Sequence, residues 1–415
     1  MTKRALVLIE GDRGNGPLYI QAARRLGLHP ITLSSDPIRY GYLAAEKAEA
    51  IHVDTDDLHA LIRECSRLRG SYDIVGITGF TALDESLYVT VAKLCRYFDL
   101  PGPDPASIEQ CCDKCAQRQL LAQANVPIPA YRVATNAADV KYSATEIGMP
   151  VIVKPAAGSG STGVRLCRDG DELAEHTTYL LDGTYIWQSS PKILVEEFIL
   201  GPYYCTAAME NKVIGIASAA FCPPPYFVFR ETTFPAALSH DDYARIADVS
   251  LSSLRALDLS WGPTNIELRW TKRGPVVIEV NPRIVGAPDP RLIRLAYGVD
   301  LISEHIKLVI GAAWDARATH SQIATARNLV PNSDGILKWI KGASRATAIP
   351  GVIEVNFYIE PNTQIVRKGN YQDRIGHVIA ASPSHSETEE ILQHAVNLIR
   401  WSITSFPTAG EQEQS

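Results

Sequence analysis

Short apolar runs alternate with segments of helical period over the first hundred residues. Residues 5–9 form an unbroken apolar run cut off by Glu10, and the polar stretch Gly11-Asp12-Arg13-Gly14-Asn15-Gly16 follows. Leu18, Ala22, Ala23 and Leu26 then recur at helical spacing, which predicts a helix. Strands are predicted over 31–34, 50–53 and 74–78, and helices over 58–68 and 83–98. Such alternation implies a mostly parallel sheet covered by helices on both faces. Pro101, Gly102, Pro103 and Pro105 close this first unit.

Beyond them the pattern changes. Residues 107–124 read as one helix, ended by Val126-Pro127-Ile128-Pro129. A strand over 151–154, a loop of small residues, a strand over 164–167, a helix over 171–181 and a buried strand over 193–195 come next. Segments 204–209 and 213–221 flank a turn at Asn211 and Lys212, the pattern of an antiparallel pair. Cys222-Pro223-Pro224-Pro225 opens a proline-rich loop expected to run to Pro235. Strands over 352–357, 366–367 and 375–381 and a helix over 387–401 follow, and the polar tail 408–415 is expected to fray.

The most informative pattern lies in two arms, 265–270 and 275–283, joined by the polar turn Thr271-Lys272-Arg273-Gly274. Apolar and polar residues alternate in both, as in a β-hairpin. Asn265, Glu267 and Arg269 share one face of the first arm. Val277, Glu279 and Asn281 share a face of the second, opposite Val276, Ile278 and Val280. The register that keeps apolar faces together sets Glu267 opposite Glu279 and Asn265 opposite Asn281. Directly opposed residues have Cβ atoms about 5 Å apart, and like charges there destabilise. A compensating cation is then required, and two carboxylates with an amide oxygen are hard ligands suited to Mg²⁺. The alternative is a solvated polar strand face. The trailing Asn281-Pro282-Arg283 favours function, because a guanidinium two residues past the last ligand can stabilise oxyanion or phosphoryl charge.

Composition narrows the class. The 415 residues suggest two to three domains. Forty basic against 46 acidic residues give a formal charge of −6, which disfavours a nucleic-acid binder. The early apolar run is too short for a signal peptide and no later one matches a bilayer, so no membrane partner and a cytoplasmic location are expected. The cysteines (65, 95, 111, 112, 115, 167, 205 and 222) are too sparse for a disulfide framework. Cys112-x-x-Cys115 has no second pair to complete a zinc site and reads as buried helical thiols.

Between the strands over 151–154 and 164–167 lies Gly158-Ser159-Gly160-Ser161-Thr162-Gly163. Small residues let backbone N–H groups approach an anion, and the hydroxyls add donors. It is not a P-loop, since no Gly-Lys-Ser/Thr follows and the next element is a strand; an ordinary connector is the other reading. Lys154 at the strand end can place charge over a triphosphate. Asp113-Lys114 alone reads as solvated helix charge. Glu196 and Glu197 end the buried run 193–195, where they can accept from an exocyclic amine.

In this order, the segments resemble the ATP-grasp superfamily of carboxylate–amine ligases, and within it the L-amino acid ligases. The matching stretches are Asp113-Lys114, the Lys154 strand with its glycine loop, Glu196-Glu197-Phe198, Asn265 to Glu267, and Glu279 to Arg283. The resemblance implies an α/β ATP-grasp fold: a Rossmann-like domain over 1–105, a lid subdomain over 106–195, an α+β catalytic domain over 196–408 and a flexible tail over 409–415. Lys114 and Lys154 would contact ATP phosphates under a flap of residues 158–163. Glu196, Glu197, Phe198 and Ile199 would form the adenine hinge, with Tyr203 beside the nucleotide. Glu267, Glu279 and Asn281 would hold Mg²⁺, usually two ions, with Mn²⁺ as a substitute. Arg283 would steady an acyl phosphate and the tetrahedral intermediate that follows amine attack.

The implied partners are a small carboxylate and an amine, with a C-terminal region that completes the catalytic domain or makes a homodimer contact. One departure is clear: Gly201-Pro202-Tyr203-Tyr204 stands where relatives often carry a ribose-binding acid. On the substrate side, Arg230 and Glu231 either read a carboxylate and an ammonium or belong to a solvated lid. Gly286, Arg291 and Arg294 fall where relatives shape the acceptor pocket. The alternatives within the superfamily are purine-biosynthesis or carboxylase-type enzymes, and outside catalysis an ATP-binding module. A dinucleotide oxidoreductase is disfavoured, because Gly11, Gly14 and Gly16 are spaced in reverse order to the usual fingerprint.

Overall fold

The computed structural model describes residues 2–79, 86–183 and 191–406. Strands Glu49–His52, His29–Ser34, Lys3–Ile9 and Tyr72–Gly79 form a parallel sheet in that order. Residues 5–9 are fully buried, because helices cover both faces, and a strand buried on two faces has no polar side to show. Ala5, Val7 and Ile9 pack with Leu61 and Leu94 of helices Leu58–Arg69 and Ser86–Tyr97. Leu6 and Leu8 pack with Tyr19 and Ile20 of helix Gly16–Arg25, and that core continues into Leu301, Ile306 and Val309. Residues 83–85 of the predicted third helix, and the tail over 409–415, lie outside the described residues.

A second sheet is antiparallel, in the order Tyr131–Ala134, Ile193–Glu197, Val151–Pro155, Arg165–Cys167, with helices Ala137–Ile147 and Gly170–Leu181 sharing its core. A third, eight-stranded and antiparallel, runs Gly274–Asn281, Pro263–Thr271, Tyr203–Met209, Lys212–Phe221, Phe229–Phe234, Ile323–Leu329, Gly376–Ser382, Val352–Phe357. Helix His240–Ala256 buries Ile246 and Leu254 against Ile266, Leu268 and Val280 of its first two strands. Among the described residues no helix is long and apolar enough to cross a membrane.

Several elements differ from the sequence expectation. The single helix over 107–124 is two, Pro105–Cys112 and Lys114–Gln123, broken at Asp113. Asp113 has extended backbone, and its carboxylate accepts from Cys115 N at 2.8 Å and Ala116 N at 3.2 Å, an N-cap that places Lys114 at the first helical position. Cys112 and Cys115 flank the break half-buried rather than fully buried, and burial pushes the Cys115 thiol up to about 11. The proline-rich loop contains a strand, Phe229–Phe234, paired on both edges; its prolines flank the ladder instead of interrupting it. The last helix stops at Leu398, and Arg400–Thr404 pairs as a strand with Gly335–Lys341. The short strand predicted over 366–367 lies at Gln364–Ile365.

The cap at Asp113 gives a direct test. Asp113→Ala is expected to lower stability by about 0.5–2 kcal/mol, read as a shift of the urea midpoint at constant slope.

Candidate nucleotide and metal site

The second and third sheets face each other across a cleft, lined by Lys154 and Glu196 on one side and Glu267 and Glu279 on the other. The carboxylate hairpin forms its floor. The register is the one read from the alternation, with Asn265 opposite Asn281 and Glu267 opposite Glu279. A bulge between Glu267 and Leu268 then shifts the pairing by one, so Val277 sits opposite Leu268. This corrects the face assignment: Val277 joins the core with Leu268 and Val280, and Ile278 lines the cleft instead.

The two carboxylates differ in electrostatics. Burial, then the charge of Glu279, push Glu267 up to about 7, although Tyr203 donates a hydrogen bond to its Oε2. Burial opposes the charge on Glu279 as well, but Lys114 and Lys154 hold it below the ordinary carboxylate range. The Lys114 ammonium lies 2.8 Å from Glu279 Oε1. Asn265 Oδ1 and Asn281 Nδ2 are buried without a hydrogen-bond partner. Opposed carboxylates, one of which holds its proton near neutrality, together with the unsatisfied Asn265 Oδ1, fit a divalent cation, while the Asn281 amide would have to turn its oxygen inward to join them. Among the described residues no group of three or more His, Cys, Asp or Glu side chains forms a metal cage. The donor set therefore suits an ion that takes its remaining ligands from phosphate and water, as Mg²⁺ does.

Glu196 departs from its expected part in reading adenine. Its carboxylate is buried between Arg118 Nε at 2.5 Å and Lys154 Nζ at 2.6 Å. Burial opposes its charge, yet those two cations keep it below the usual range. Both its oxygens are thus spent inside the protein, and an exocyclic amine must look to the backbone. Lys154 reaches the cleft wall, where burial lowers its pKa while Glu196 holds its ammonium. Glu197 sits at the rim and pairs with Arg273 at 3.0 Å. Phe198, Ile199 and Tyr203 line the cleft, as do residues 158–162.

The loop over 158–163 needs its glycines. Gly158, Gly160 and Gly163 have φ of +124°, +63° and +73°. A Cβ on Gly160 would lie 2.4 Å from the Tyr371 ring, and Tyr371 N donates to Gly160 O at 3.2 Å. Lys114 Nζ donates to Gly158 O, and Ser161 Oγ to Phe227 O at 3.0 Å. Thr162 N donates to Ser159 O.

The substrate candidates are not brought together. Arg230 is exposed, and Glu231 is held by Arg327 Nε at 2.6 Å. Arg291 pairs with Glu354, Arg294 is exposed in the last turn of its helix, and Gly286 has open space around it. Arg283 is half-buried at the hairpin end, donates to Ile284 O at 3.2 Å, and acts electrostatically on Glu267, Glu279, Asp12 and Asp289.

Two features escaped the sequence reading. Arg118 follows Lys114 by four residues, a helical spacing that puts both on one face and was available as a signal. An aromatic wall of Tyr203, Phe221 and Phe229 has ring centroids 4.4–6.0 Å apart, and Arg269 lies 5.1 Å over the Tyr203 ring. It depends on the strand Phe229–Phe234, which the prolines concealed.

Glu267 retains its proton in the folded state above the unfolded value of 4.5, up to about 7. The folded state binds the extra proton in that window, so this group's contribution to stability falls as pH rises through it. Metal-free protein is expected to lose melting temperature between about pH 5 and about pH 7.5, and Glu267→Gln to flatten part of that loss.

Comparison with known proteins agrees with this geometry. Residues 147–288 match the ATP-grasp domain, and residues 327–404 match the L-amino acid ligase C-terminal domain 2. Uncharacterized protein y4rH of Sinorhizobium fredii is 57% identical over 412 residues, covering 99% of this chain and 86% of that one. Carnosine synthase 1 of Mus musculus is 28% identical over 328 residues, which are 71% of this chain but 38% of the mouse protein. The crystal structure of L-amino acid ligase from Bacillus licheniformis superposes with a TM-score of 0.81 at 18% identity, covering 98% of this chain and 100% of that one. Phosphoribosylglycinamide synthetase from Anaerococcus prevotii gives 0.72 at 19%, with 97% and 100% covered. With its hairpin of opposed acids, its glycine-rich loop and both matching domains, the chain belongs to the ATP-grasp superfamily of ligases.

Proposed function

We propose that this protein is an ATP-dependent carboxylate–amine ligase that joins an amino acid or other small carboxylic acid to an amine. The observation that carries the reading is the pairing of half-buried Glu267 and Glu279 on one cleft wall, with Arg283 just beyond the strand end acting electrostatically on both. A carboxylate is a poor electrophile until one oxygen becomes a leaving group. Its attack on the γ-phosphorus forms the acyl phosphate and releases ADP; amine attack on the acyl carbon then expels phosphate and the nitrogen loses a proton. A divalent cation at Glu267, Glu279 and Asn281, when bound, supplies charge neutralisation for the phosphoryl oxygens. Lys114 brings a further positive charge to Glu279. Arg283 stabilises negative charge that develops at the reacting carbon. The aromatic wall excludes water and packs the nucleotide base. In this reading the working units are residues 1–105, 106–195 and 196–408.

Substrate recognition falls to a different set from Arg230, Glu231 and Arg291. Asp12 and Asp289 face Arg283 and Arg374 beyond the hairpin. Burial raises both acids, Asp289 to about 7, with Arg374 and Arg283 opposing the shift. Asn15 donates to Val285 O at 3.2 Å, which docks the Asp12 loop on the segment leading to Asp289. A zwitterion complements this charge set, its ammonium toward the acids and a carboxylate toward Arg374.

ADP release across a panel of carboxylates and amines, offered singly and in pairs, tests the proposal. Release is expected only when both partners are present. Glu279→Gln is expected to abolish turnover with the circular dichroism spectrum unchanged. Arg283→Ala should lower kcat about 10²–10³-fold while ADP affinity stays nearly constant. Full activity in Glu279→Gln, or ADP release that ignores the amine, would sink the reading.

A further inference from the structure

The strand that carries Glu279 and Asn281, Gly274–Asn281, is the edge of the eight-stranded sheet and pairs with a strand on one side only. An edge strand leaves outward backbone N–H and C=O groups unpaired. Here the helix Lys114–Gln123 meets them with side chains. Gln117 Oε1 accepts from Val280 N at 3.0 Å, and Gln117 Nε2 donates to Val280 O at 2.8 Å. One amide therefore satisfies both backbone groups of a single residue, as a neighbouring strand would. Nε2 also donates to Cys111 O at 2.8 Å, which fixes the orientation of the amide. Arg118 Nη2 donates to Ile278 O, and Val277 N donates to Pro127 O at 2.8 Å. Gln117 and Arg118 are each 1% exposed, so neither hydrogen bond can be exchanged for water.

Glu279 lies between these anchors. The residue before it is held by Arg118, the residue after it by Gln117, and its own carboxylate by Lys114 at 2.8 Å. All three come from one face of one helix, at spacings of three and four residues. The need is physical: Glu267 repels Glu279 across the hairpin, and the bulge beside Glu267 loosens the ladder at that point. Without an outer partner, the edge strand relieves the repulsion by turning Glu279 away.

We infer that Gln117 is a positioning residue, a side-chain substitute for the missing strand that keeps Glu279 and Asn281 aimed at a shared divalent cation. The inference rests on the metal and nucleotide assignment of the ligase reading. Outer hydrogen bonds of this kind are commonly worth a factor of about 10–100 in metal affinity.

The test uses the full chain, with Mn²⁺ as probe in the presence of ADP and electron paramagnetic resonance to count bound ion. Gln117→Met keeps the length and removes both Gln117 hydrogen bonds to Val280, leaving only the Cys111 thiol donating to Val280 O at 3.3 Å. Gln117→Asn, one methylene too short to reach, replaces it if the Met variant does not fold. Leu121→Val is the control: it thins a fully buried contact of the same helix and touches no backbone group of the edge. Loss of the Gln117 bonds should weaken Mn²⁺ binding about tenfold or more, with ADP affinity in the absence of metal within about twofold. Leu121→Val should lower the melting temperature and leave Mn²⁺ affinity unchanged. Mn²⁺ affinity that is unaltered at position 117, or that falls in both variants in step with melting temperature, overturns the inference and leaves the ligase reading intact. A wild-type chain that binds no Mn²⁺ with ADP overturns both.

Discussion

Two acidic side chains sit opposite each other on adjoining strands in the wall of a cleft, and most of the surrounding architecture answers that repulsion. Glu279 takes Lys114 as its neighbour, while Glu267 takes a proton and the Tyr203 hydroxyl. The two halves of the answer come from different sheets' surroundings: Lys114 from the helix that Asp113 caps, Tyr203 from the strand beside the hairpin. Neither acid is neutralised by a partner on its own hairpin, apart from a long contact of 3.4 Å from Asn265 to Glu267. A cation that enters this space competes with a lysine and displaces a proton, so its binding is tied to pH by construction.

Charge in and around the cleft is divided between groups already paired and groups without a side-chain partner. Glu196 is locked between Arg118 and Lys154, and Glu231 is shared with Arg327, which also grips Glu389 at 2.7 Å. Breaking one partner of the buried Glu196 set leaves an uncompensated charge inside the protein. By contrast, Asp289 forms no hydrogen bond or ion pair through its side chain with the described residues. The distinction follows from geometry and could not be drawn from residue type.

Much of the site was legible before the fold was known. Alternation alone set Glu267 against Glu279, since a one-residue slip would have put Ile266 and Val280 in water. The bulge was not legible, because one extra residue leaves the local pattern of Val276, Val277 and Ile278 unchanged. The first sheet followed from the βα alternation with edges within a residue or two. The strand Phe229–Phe234 was hidden because prolines at both ends read as loop, though Thr232 and Thr233 favour extended backbone. Ion pairs such as Glu231 with Arg327 join residues nearly a hundred positions apart, a separation no local pattern encodes. The break at Asp113 was readable in principle, as an N-cap residue inside an otherwise helical run.

The seam between the first sheet and the rest carries its own consequence. Tyr19 and Ile20 share a core with Leu301 and Ile306, Gly14 lies so close to Ala287 that a Cβ would approach within 2.3 Å, and Gly76 has Val309 at 2.7 Å. Exchange of the first hundred residues for those of a distant homologue would set unmatched surfaces against each other at all three places. A chimaera that preserves this packing must therefore carry both banks of the seam, the amino-terminal part together with residues 285–309.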